Sequence, residues 1–163
     1  MIRPRPPSNP TQPRLVIGLG CDRGSARASL EQALTEALVQ VGAEPAQIAL
    51  LASIDLKANE PGLLALARHR GWPLRCYPAA ALAAVAVPNP SLTVRRHTGT
   101  GSVSAAAALL AAGVTGPPWP DLLLEKYRRR DASGRHVTIS IVRLPEHVMT
   151  NLAAIPAKVL APG

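Results

Sequence analysis

The sequence contains three copies of one local pattern, in which an apolar run is followed by a short polar or glycine-rich loop and then by a helix-forming segment. The most informative copy is residues 48–62. Its apolar run, residues 48–52, lacks polar alternation, which is typical of a parallel strand buried on both faces. Asn59 is a good N-cap and Pro61 suits a first helical turn, so the loop between them joins a strand to a helix.

The other two copies have glycine-containing loops and a glycine at the end of the following helical segment. Residues 15–20 form an apolar run that leads through residues 21–25 into a helical segment ending at Gly42. Residues 92–94 form a short apolar run that leads through residues 97–102 into an alanine-rich helical segment, which ends at Gly113. The first helix has apolar residues at helical spacing on one face: Leu30, Ala33, Leu34, Ala37, Leu38 and Val41.

Shorter elements complete the predicted fold. Residues 74–77 suit a short strand, and residues 79–85 suit a short helix that ends before two prolines. Residues 121–127 and 136–144 predict two strands joined through a turn at 128–135, with an exposed antiparallel edge at residues 137–142. We therefore predict an α/β fold of three layers, α/β/α. Its sheet is mixed and mostly parallel, with about five strands and an antiparallel C-terminal hairpin.

The length of 163 residues indicates one globular unit. Residues 1–13 contain five prolines and no apolar run, so we expect a disordered leader. The domain itself is predicted over residues 14–145. Residues 146–163 have weak periodicity and remain an unassigned tail.

Composition restricts the partners. No apolar run is long enough for a membrane span or secretory signal, and two cysteines suit a reducing compartment, so we expect a cytoplasmic protein without membrane contact. The net charge of +8 favours an anionic partner, namely a nucleic acid, a membrane surface, or a polycarboxylate or phosphate metabolite. The absence of Phe and of nucleic-acid-binding signatures disfavours nucleic acid. The histidines lack metal-ligand spacing, so we expect no metal and no cofactor.

Three ionisable residues are crowded into the loop at residues 55–60. Asp55 could act as a general base or orient a water molecule, Lys57 could bind a ligand carboxylate, and Glu60 could act as a second acid or base. A structural role is open for two of them, because Asp55 could cap the loop and Glu60 could complement the helix dipole.

Candidates outside that loop also have two interpretations. Cys21 lies where a helix N-terminus could activate a thiol, yet no base is adjacent, which favours packing over catalysis. His97 lies in the third loop and could transfer protons or bind anions, or have no role. His69, His136 and His147 are interpreted as structural or solvated. The run of arginines at 128–130 is either a solvated hairpin tip or an anion-binding arm.

Four ordered motifs resemble the C-terminal domain of the CbiG family of cobalamin biosynthesis, which includes stand-alone CobE relatives. They are Ser53-Ile-Asp-Leu-Lys-Ala-Asn-Glu-Pro-Gly62, Gly18-Leu-Gly-Cys-Asp-Arg-Gly24, Val87-Pro-Asn-Pro-Ser91 and Gly99-Thr-Gly-Ser-Val103. The resemblance runs from Leu15 to Val142 and is closest to the stand-alone members. Asp22 and Ala105 depart from the family pattern, which usually has a basic and an acidic residue there.

The resemblance implies a role in corrin-ring synthesis. Longer CbiG proteins open a lactone on a cobalt-precorrin and release a two-carbon fragment, whereas CobE has no clearly assigned step. We expect this chain to bind a precorrin-type tetrapyrrole, and processing of that compound is a further candidate function. Other enzymes of the pathway are candidate partners. The alternatives are a lactone-opening hydrolase and an anion-binding accessory module.

The site residues that we predict fall into two groups. The catalytic candidates are Asp55, Glu60 and His97. The substrate-binding candidates are Gly20, Cys21, Arg23, Gly24, Ser25, Lys57, Asn59, Thr98, Gly99, Thr100, Gly101 and Ser102. Helix N-termini, arginines and lysines are the groups that would hold the acetate and propionate carboxylates of such a ring.

Overall fold

The computed structural model describes residues 12–89, 103–114 and 116–144, together with the backbone of a strand at 158–160. The strands are β1 (Leu15–Cys21), β2 (Ile48–Ile54), β3 (Leu74–Tyr77), β4 (Leu122–Arg130), β5 (His136–Arg143) and β6 (Lys158–Leu160). The helices are α1 (Arg27–Gln40), α2 (Pro61–Arg70), α3 (Ala79–Ala83) and α4 (Val103–Ala111). Single 3-10 turns occur at Pro45–Gln47 and Asp55–Lys57.

The strands form one sheet in the order β4-β5-β1-β2-β3-β6. Strands β1, β2 and β3 are parallel, and β5 and β6 pair antiparallel to the two sides of this group. Strand β4 completes the antiparallel hairpin with β5 at one side of the sheet. The predicted mixed α/β sheet with its hairpin is therefore confirmed, with β6 as an additional strand from the segment that the sequence left unassigned.

Helices cover both faces of the sheet, as the three-layer prediction requires. One core cluster joins the sheet to α1 and α2 and includes Leu30, Leu34 and Leu63. The other joins the opposite face to α3 and α4 and includes Leu82 and the alanines of α4. All five apolar residues predicted between Leu30 and Leu38 are buried, and Gly42 has the left-handed φ of +67° that follows a helix end.

Glycine permits the closest contact between the layers. A Cβ added to Gly18 in β1 would lie 1.8 Å from the carbonyl oxygen of Ser104 in α4. No side chain fits there, so α4 rests directly on the backbone of β1. The hydroxyl of Ser104 also forms a hydrogen bond of 2.8 Å with that of Ser140 in β5. These contacts fix the start of α4 over the centre of the sheet.

Four details of the sequence prediction were wrong. The N-cap of α2 is Glu60, not Asn59, with Pro61 as the first helical residue. The arginines 128–130 belong to β4, because the turn occupies only the residues between Arg130 and His136. Strand β5 is not an exposed edge, since it lies between β4 and β1 and buries Ser140 and Val142. Helix α3 ends at Ala83, two residues earlier than predicted.

Other predictions lie outside the described residues. These are the strand at 92–94, the loop at 97–102, and the Pro-rich leader over residues 1–11. Among the residues that the structure does describe, no helix is both long and apolar enough to cross a membrane.

Candidate functional site

The β1–α1 loop, residues 22–26, and the β2–α2 loop, residues 55–60, meet at the carboxyl ends of β1 and β2. The backbone N–H of Gly24 donates a hydrogen bond of 2.9 Å to Oε1 of Glu60. A Cβ added to Gly62 would lie 2.1 Å from the carbonyl oxygen of Ser25, so the first turn of α2 touches the backbone of the other loop. Two of the three loops of the repeated pattern therefore meet at the carboxyl ends of the strands, the edge at which open α/β sheets bind ligands.

Glu60 is the centre of this junction. Only 7% of the residue is exposed, and its Oε2 atom lies 4.0 Å from Nζ of Lys57. The carboxylate therefore has a hydrogen-bond donor on one oxygen and a cation near the other. This arrangement braces the loop, which favours the structural interpretation of Glu60 over the catalytic one.

Asp55 and Lys57 lie at the two ends of the 3-10 turn that follows β2. The turn is closed by a backbone hydrogen bond of 3.0 Å from Ala58 N–H to Asp55 O. The carboxylate of Asp55 is exposed and forms no hydrogen bond with another described residue, and Asn59 is exposed as well. Asp55 is thus the acidic group of the two loops that remains open to a ligand or a water molecule.

Leu56 is an apolar residue that the sequence analysis did not single out. It is 69% exposed, although it sits between Asp55 and Lys57 in the middle of a polar loop. Single exposed apolar residues are common on protein surfaces, but Leu56 lies in the loop at this junction, where an apolar ligand could cover it. The position could have been noticed in the sequence as an apolar residue without a helical or strand period.

Cys21 ends β1 beside this junction. Burial raises the pKa of its thiol to about 11, and the nearby charges of Glu60 and Asp22 act in the same direction, while Lys57 opposes them. The thiol is therefore protonated at neutral pH, which disfavours a nucleophilic role. Its side chain packs partly against the α1 and α2 core cluster, as the packing interpretation predicts.

The hairpin end closes the site from the other side, a contact that the sequence analysis missed. The backbone N–H of Asp22 donates to the carbonyl oxygen of His136 at 3.0 Å, and the Asp22 carboxylate accepts the backbone N–H of His136 at 2.8 Å. The Asp22 carboxylate also lies 3.4 Å from Nδ1 of His136. Arg135 donates from Nε to the carbonyl oxygen of Arg23 at 3.0 Å, beside Gly24. Strand β1 pairs antiparallel with β5, so the end of β1 lies beside the start of β5. This pairing explains the contact.

One row of residues crosses three strands at this edge. Gly20 in β1 pairs with Thr138 in β5, which pairs with Arg128 in β4. A Cβ added to Gly20 would contact only the Thr138 methine carbon, at 3.9 Å, so the sheet surface above Gly20 is open. Arg128 lies two strands from β1, a separation of about 10 Å. Arg128 therefore lies at the border of the crevice and not at the tip of the hairpin.

The remaining predicted site residues, His97 and residues 98–102, lie outside the described part of the chain. Within the described ranges, no group of three or more His, Cys, Asp or Glu residues is arranged to hold a metal ion. The site that the structure does describe therefore consists of residues 20–25 and 55–60, together with Arg128, Arg135 and His136 from the hairpin.

Comparisons with known proteins agree on one family. The family model Cobalamin synthesis G C-terminus matches residues 15–142. The cobalt-precorrin-5A hydrolase of Priestia megaterium is 32% identical over 131 residues, which cover 80% of this chain and 32% of the hydrolase. Protein CobE of Sinorhizobium sp is 41% identical over 101 residues, which cover 61% of this chain and 66% of CobE.

A solved structure supports the same assignment. The crystal structure of CobE, a protein from the cobalamin (vitamin B12) biosynthetic pathway, superposes with a TM-score of 0.64 at 32% sequence identity. The match covers 82% of this chain and 92% of CobE, whereas the chain spans only about a third of the length of the hydrolase. On the family model and on these relatives, the chain belongs to the CobE and CbiG C-terminal family of cobalamin biosynthesis proteins.

Proposed function

We propose that this chain binds a carboxylate-bearing precorrin intermediate in the crevice between the β1–α1 and β2–α2 loops. The observation that carries the proposal is the set of cations around an apolar contact at that edge. Arg23 and Lys57 belong to the two loops, and Arg135 contacts the backbone of Arg23. Leu56 presents exposed apolar surface in the second loop. A broad apolar ring fringed by carboxylates requires this combination of groups.

The charge at the edge is available to a ligand. Among the ion pairs of the described residues, none includes Arg23, Arg128 or Arg135. Lys57 is held near Glu60, but at 4.0 Å the contact leaves its ammonium free to donate elsewhere. Arginine suits the task because its planar guanidinium binds a carboxylate through two parallel hydrogen bonds.

A titration with cobalt-precorrin-5A, the compound in the hydrolase relative's name, tests the proposal. Absorbance of the ring reports binding, and mass spectrometry of the recovered compound reports any broken bond. Lys57→Ala should weaken binding about tenfold or more, because a positioned charge-assisted contact contributes ~1.5–3 kcal/mol. The exposed Lys126 in β4 provides the matched control, and Lys126→Ala should cost about fivefold at most.

Equal losses in the two lysine variants would show that diffuse charge holds the ring, and the loop site would then be abandoned. A third variant, Arg135→Ala, tests the contribution of the hairpin to binding. It should weaken binding by a factor comparable to Lys57→Ala, since its side chain lies beside Gly24 in the loop junction.

Lactone hydrolysis is the second candidate, and the exposed carboxylate of Asp55 favours it. That group is placed to orient or deprotonate a water molecule, with Lys57 two residues away to hold a carboxylate. If the chain hydrolyses the lactone, Asp55→Asn should abolish the mass change while leaving ring binding within about twofold. Cys21→Ser should retain both. Unchanged mass in the native protein would favour a carrier or an accessory module serving another pathway enzyme, which we expect to operate in the cytoplasm.

A further inference from the structure

An imidazole and a carboxylate meet where β1 ends and β5 begins, and the proposed function gives neither of them a role. The Nδ1 atom of His136 lies 3.4 Å from Oδ2 of Asp22. The two side chains are 35% and 54% exposed respectively, so both are accessible from solvent. The other ring nitrogen of His136, Nε2, forms no hydrogen bond with another described residue. The imidazole therefore has one nitrogen beside a carboxylate and one that remains open.

Backbone contacts hold Asp22 in place. Its N–H donates to the carbonyl oxygen of His136 at 3.0 Å, and its Oδ2 accepts the backbone N–H of His136 at 2.8 Å. Ser25, which is buried, donates to the Asp22 carbonyl oxygen from its N–H at 3.2 Å and from its hydroxyl at 2.7 Å. The carboxylate is thus positioned before any ligand binds, as a group that orients a histidine must be.

The position of His136 in the sheet places it beside open surface. Val137 and Ile139 of β5 belong to the core cluster of α1 and α2. Because side chains alternate along a strand, His136 and Thr138 lie on the opposite face of the sheet. Thr138 pairs with Gly20 in β1, and among the described residues a Cβ added to Gly20 would contact only Thr138. His136 therefore lies at the border of this open surface, beside the β1–α1 loop.

A carboxylate beside one nitrogen of an imidazole influences which nitrogen carries the proton in the neutral ring. The negative charge of Asp22 favours a proton on Nδ1 of His136, which leaves the lone pair of Nε2 free to accept a proton. Catalytic hydrogen bonds are often long before substrate binds, so the separation of 3.4 Å fits this arrangement. Arg130, the cross-strand partner of His136 in β4, adds a cation that would stabilise an anion formed nearby.

We propose that His136, oriented by Asp22, is the proton acceptor for hydrolysis of an ester or lactone at this edge of the sheet. The Nε2 atom takes a proton from water as the water oxygen forms a bond to the acyl carbon. The bond between the acyl carbon and the ester oxygen then breaks, and the leaving alkoxide takes the proton from Nε2. The new carboxylic acid ionises, so water and the ester are the only reactants.

The inference rests on the proposed function only for its natural substrate, the lactone of the second candidate reaction. In that reaction His136 would deprotonate the water, and Asp55 would keep the role of orienting it. The acid–base pair itself can be tested on a small ester that requires no precorrin site.

The test measures hydrolysis of ethyl dichloroacetate, which has an alkoxide leaving group as a lactone has. His136→Gln should lower the second-order rate constant about tenfold or more, because general bases contribute at least that factor. Asp22→Asn should lower it about threefold or more. The asparagine oxygen can still accept the His136 N–H, but it carries no charge to favour the proton on Nδ1.

His69 in α2 provides the matched control. It is exposed, and none of the ion pairs formed by the described residues includes it. His69→Gln should therefore leave the rate constant unchanged. Thermal unfolding of all three variants shows whether a lower rate reflects a loss of folded protein.

NMR of the ring nitrogens gives a readout that a purely structural contact would not require. In the native protein the neutral ring of His136 should carry its proton on Nδ1. In Asp22→Asn the proton should shift toward Nε2, because the charge that favours Nδ1 is removed.

The proposal is overturned if His136→Gln hydrolyses the ester as fast as the native protein, or if neutral His136 in the native protein carries its proton on Nε2. Neither measurement uses a precorrin. Failure of the ring titration would therefore overturn the proposed function without deciding the role of His136, which the ester and the NMR measurements decide by themselves.

Discussion

The Glu60 carboxylate accepts the backbone N–H of Gly24 across 36 positions of sequence, at 2.9 Å. This bond joins the loops that follow β1 and β2, and it uses a residue that also serves as the N-cap of α2. Glu60 thus lies at the start of a helix while its side chain holds a neighbouring loop in position. Changes at Glu60 should therefore affect the fold before they affect any chemistry.

Glu60→Ala should lower the free energy of unfolding by about 1–3 kcal/mol, because the Gly24 N–H loses its carboxylate acceptor at a partly buried junction. Glu60→Gln should lower it less, since the amide oxygen can still accept that N–H. Urea denaturation followed by circular dichroism measures both. The exposed Asp55 gives the control, and Asp55→Asn should change the free energy by less than about 0.5 kcal/mol. A Glu60→Ala variant as stable as the native protein would contradict the bracing role.

Gly18→Ala and Gly62→Ala should each destabilise the fold by about 1–3 kcal/mol or more. The added methyl group would meet the backbone oxygen of Ser104 or Ser25, at 1.8 Å and 2.1 Å respectively, and neither oxygen is at the end of a flexible side chain. Gly116→Ala is the matched control, because an added Cβ there meets nothing within 4 Å. Thermal unfolding of the three variants makes the comparison. Equal Tm values would show that the layers can separate without cost.

The Cys21 thiol should react slowly with iodoacetamide at pH 7–8. Its pKa of about 11 keeps it neutral there, so the rate should rise about tenfold per pH unit between pH 8 and 10. Lys57→Ala should slow the reaction further, since the Lys57 charge lowers the pKa of the thiol. Peptide mapping by mass spectrometry distinguishes Cys21 from the fully buried Cys76. A rate at pH 7 equal to that of a free cysteine would revive the nucleophile interpretation.

Asp131 should titrate with a pKa of about 2, lowered by the hydroxyl of Ser133 and by the backbone N–H groups of Ser133 and Arg135. Because the pKa is depressed in the folded state, its stabilising effect is complete above the ordinary pKa of 3.8 and is lost as the pH falls through about 2. Asp131→Asn should speed amide hydrogen exchange at Ser133 and Arg135 at pH 6.

Asp121→Asn is the control for that exchange measurement. Asp121 binds Arg143 on β5, outside the turn, so its replacement should leave the turn amides unchanged. A carboxyl titration near pH 4, followed by NMR, would show that the Asp131 hydrogen bonds do not form in solution.

The local elements were predictable because their determinants are local. Gly42 and Gly113 end helices in the left-handed conformation that glycine favours, and the unbroken apolar run of residues 48–52 marks a strand covered on both faces. The shift of the α2 N-cap from Asn59 to Glu60 reflects a contact with Gly24 that no short window of sequence contains.

The errors in the hairpin have a different cause. The arginines 128–130 look like a loop because strand propensity is weak for charged residues, yet the antiparallel pairing with β5 extends the strand up to the tight turn. The contact of Arg135 with the β1–α1 loop follows from that same pairing, so it can be predicted only when the order of the strands in the sheet is known. Residues 55–60 could be identified as a candidate site, but the bracing role of Glu60 could not.

Strand β4 is the outer strand on one side of the described sheet, and its pairing with β5 is interrupted by two irregularities between Leu122 and Tyr127. An outer strand offers unpaired amide and carbonyl groups to any other extended chain, which is a route to aggregation. Here the exposed side chains along it include Lys126, Arg128 and Arg130, and a second copy placed alongside would bring positive charges against one another. Arg128, which borders the crevice, therefore also opposes self-association through this edge.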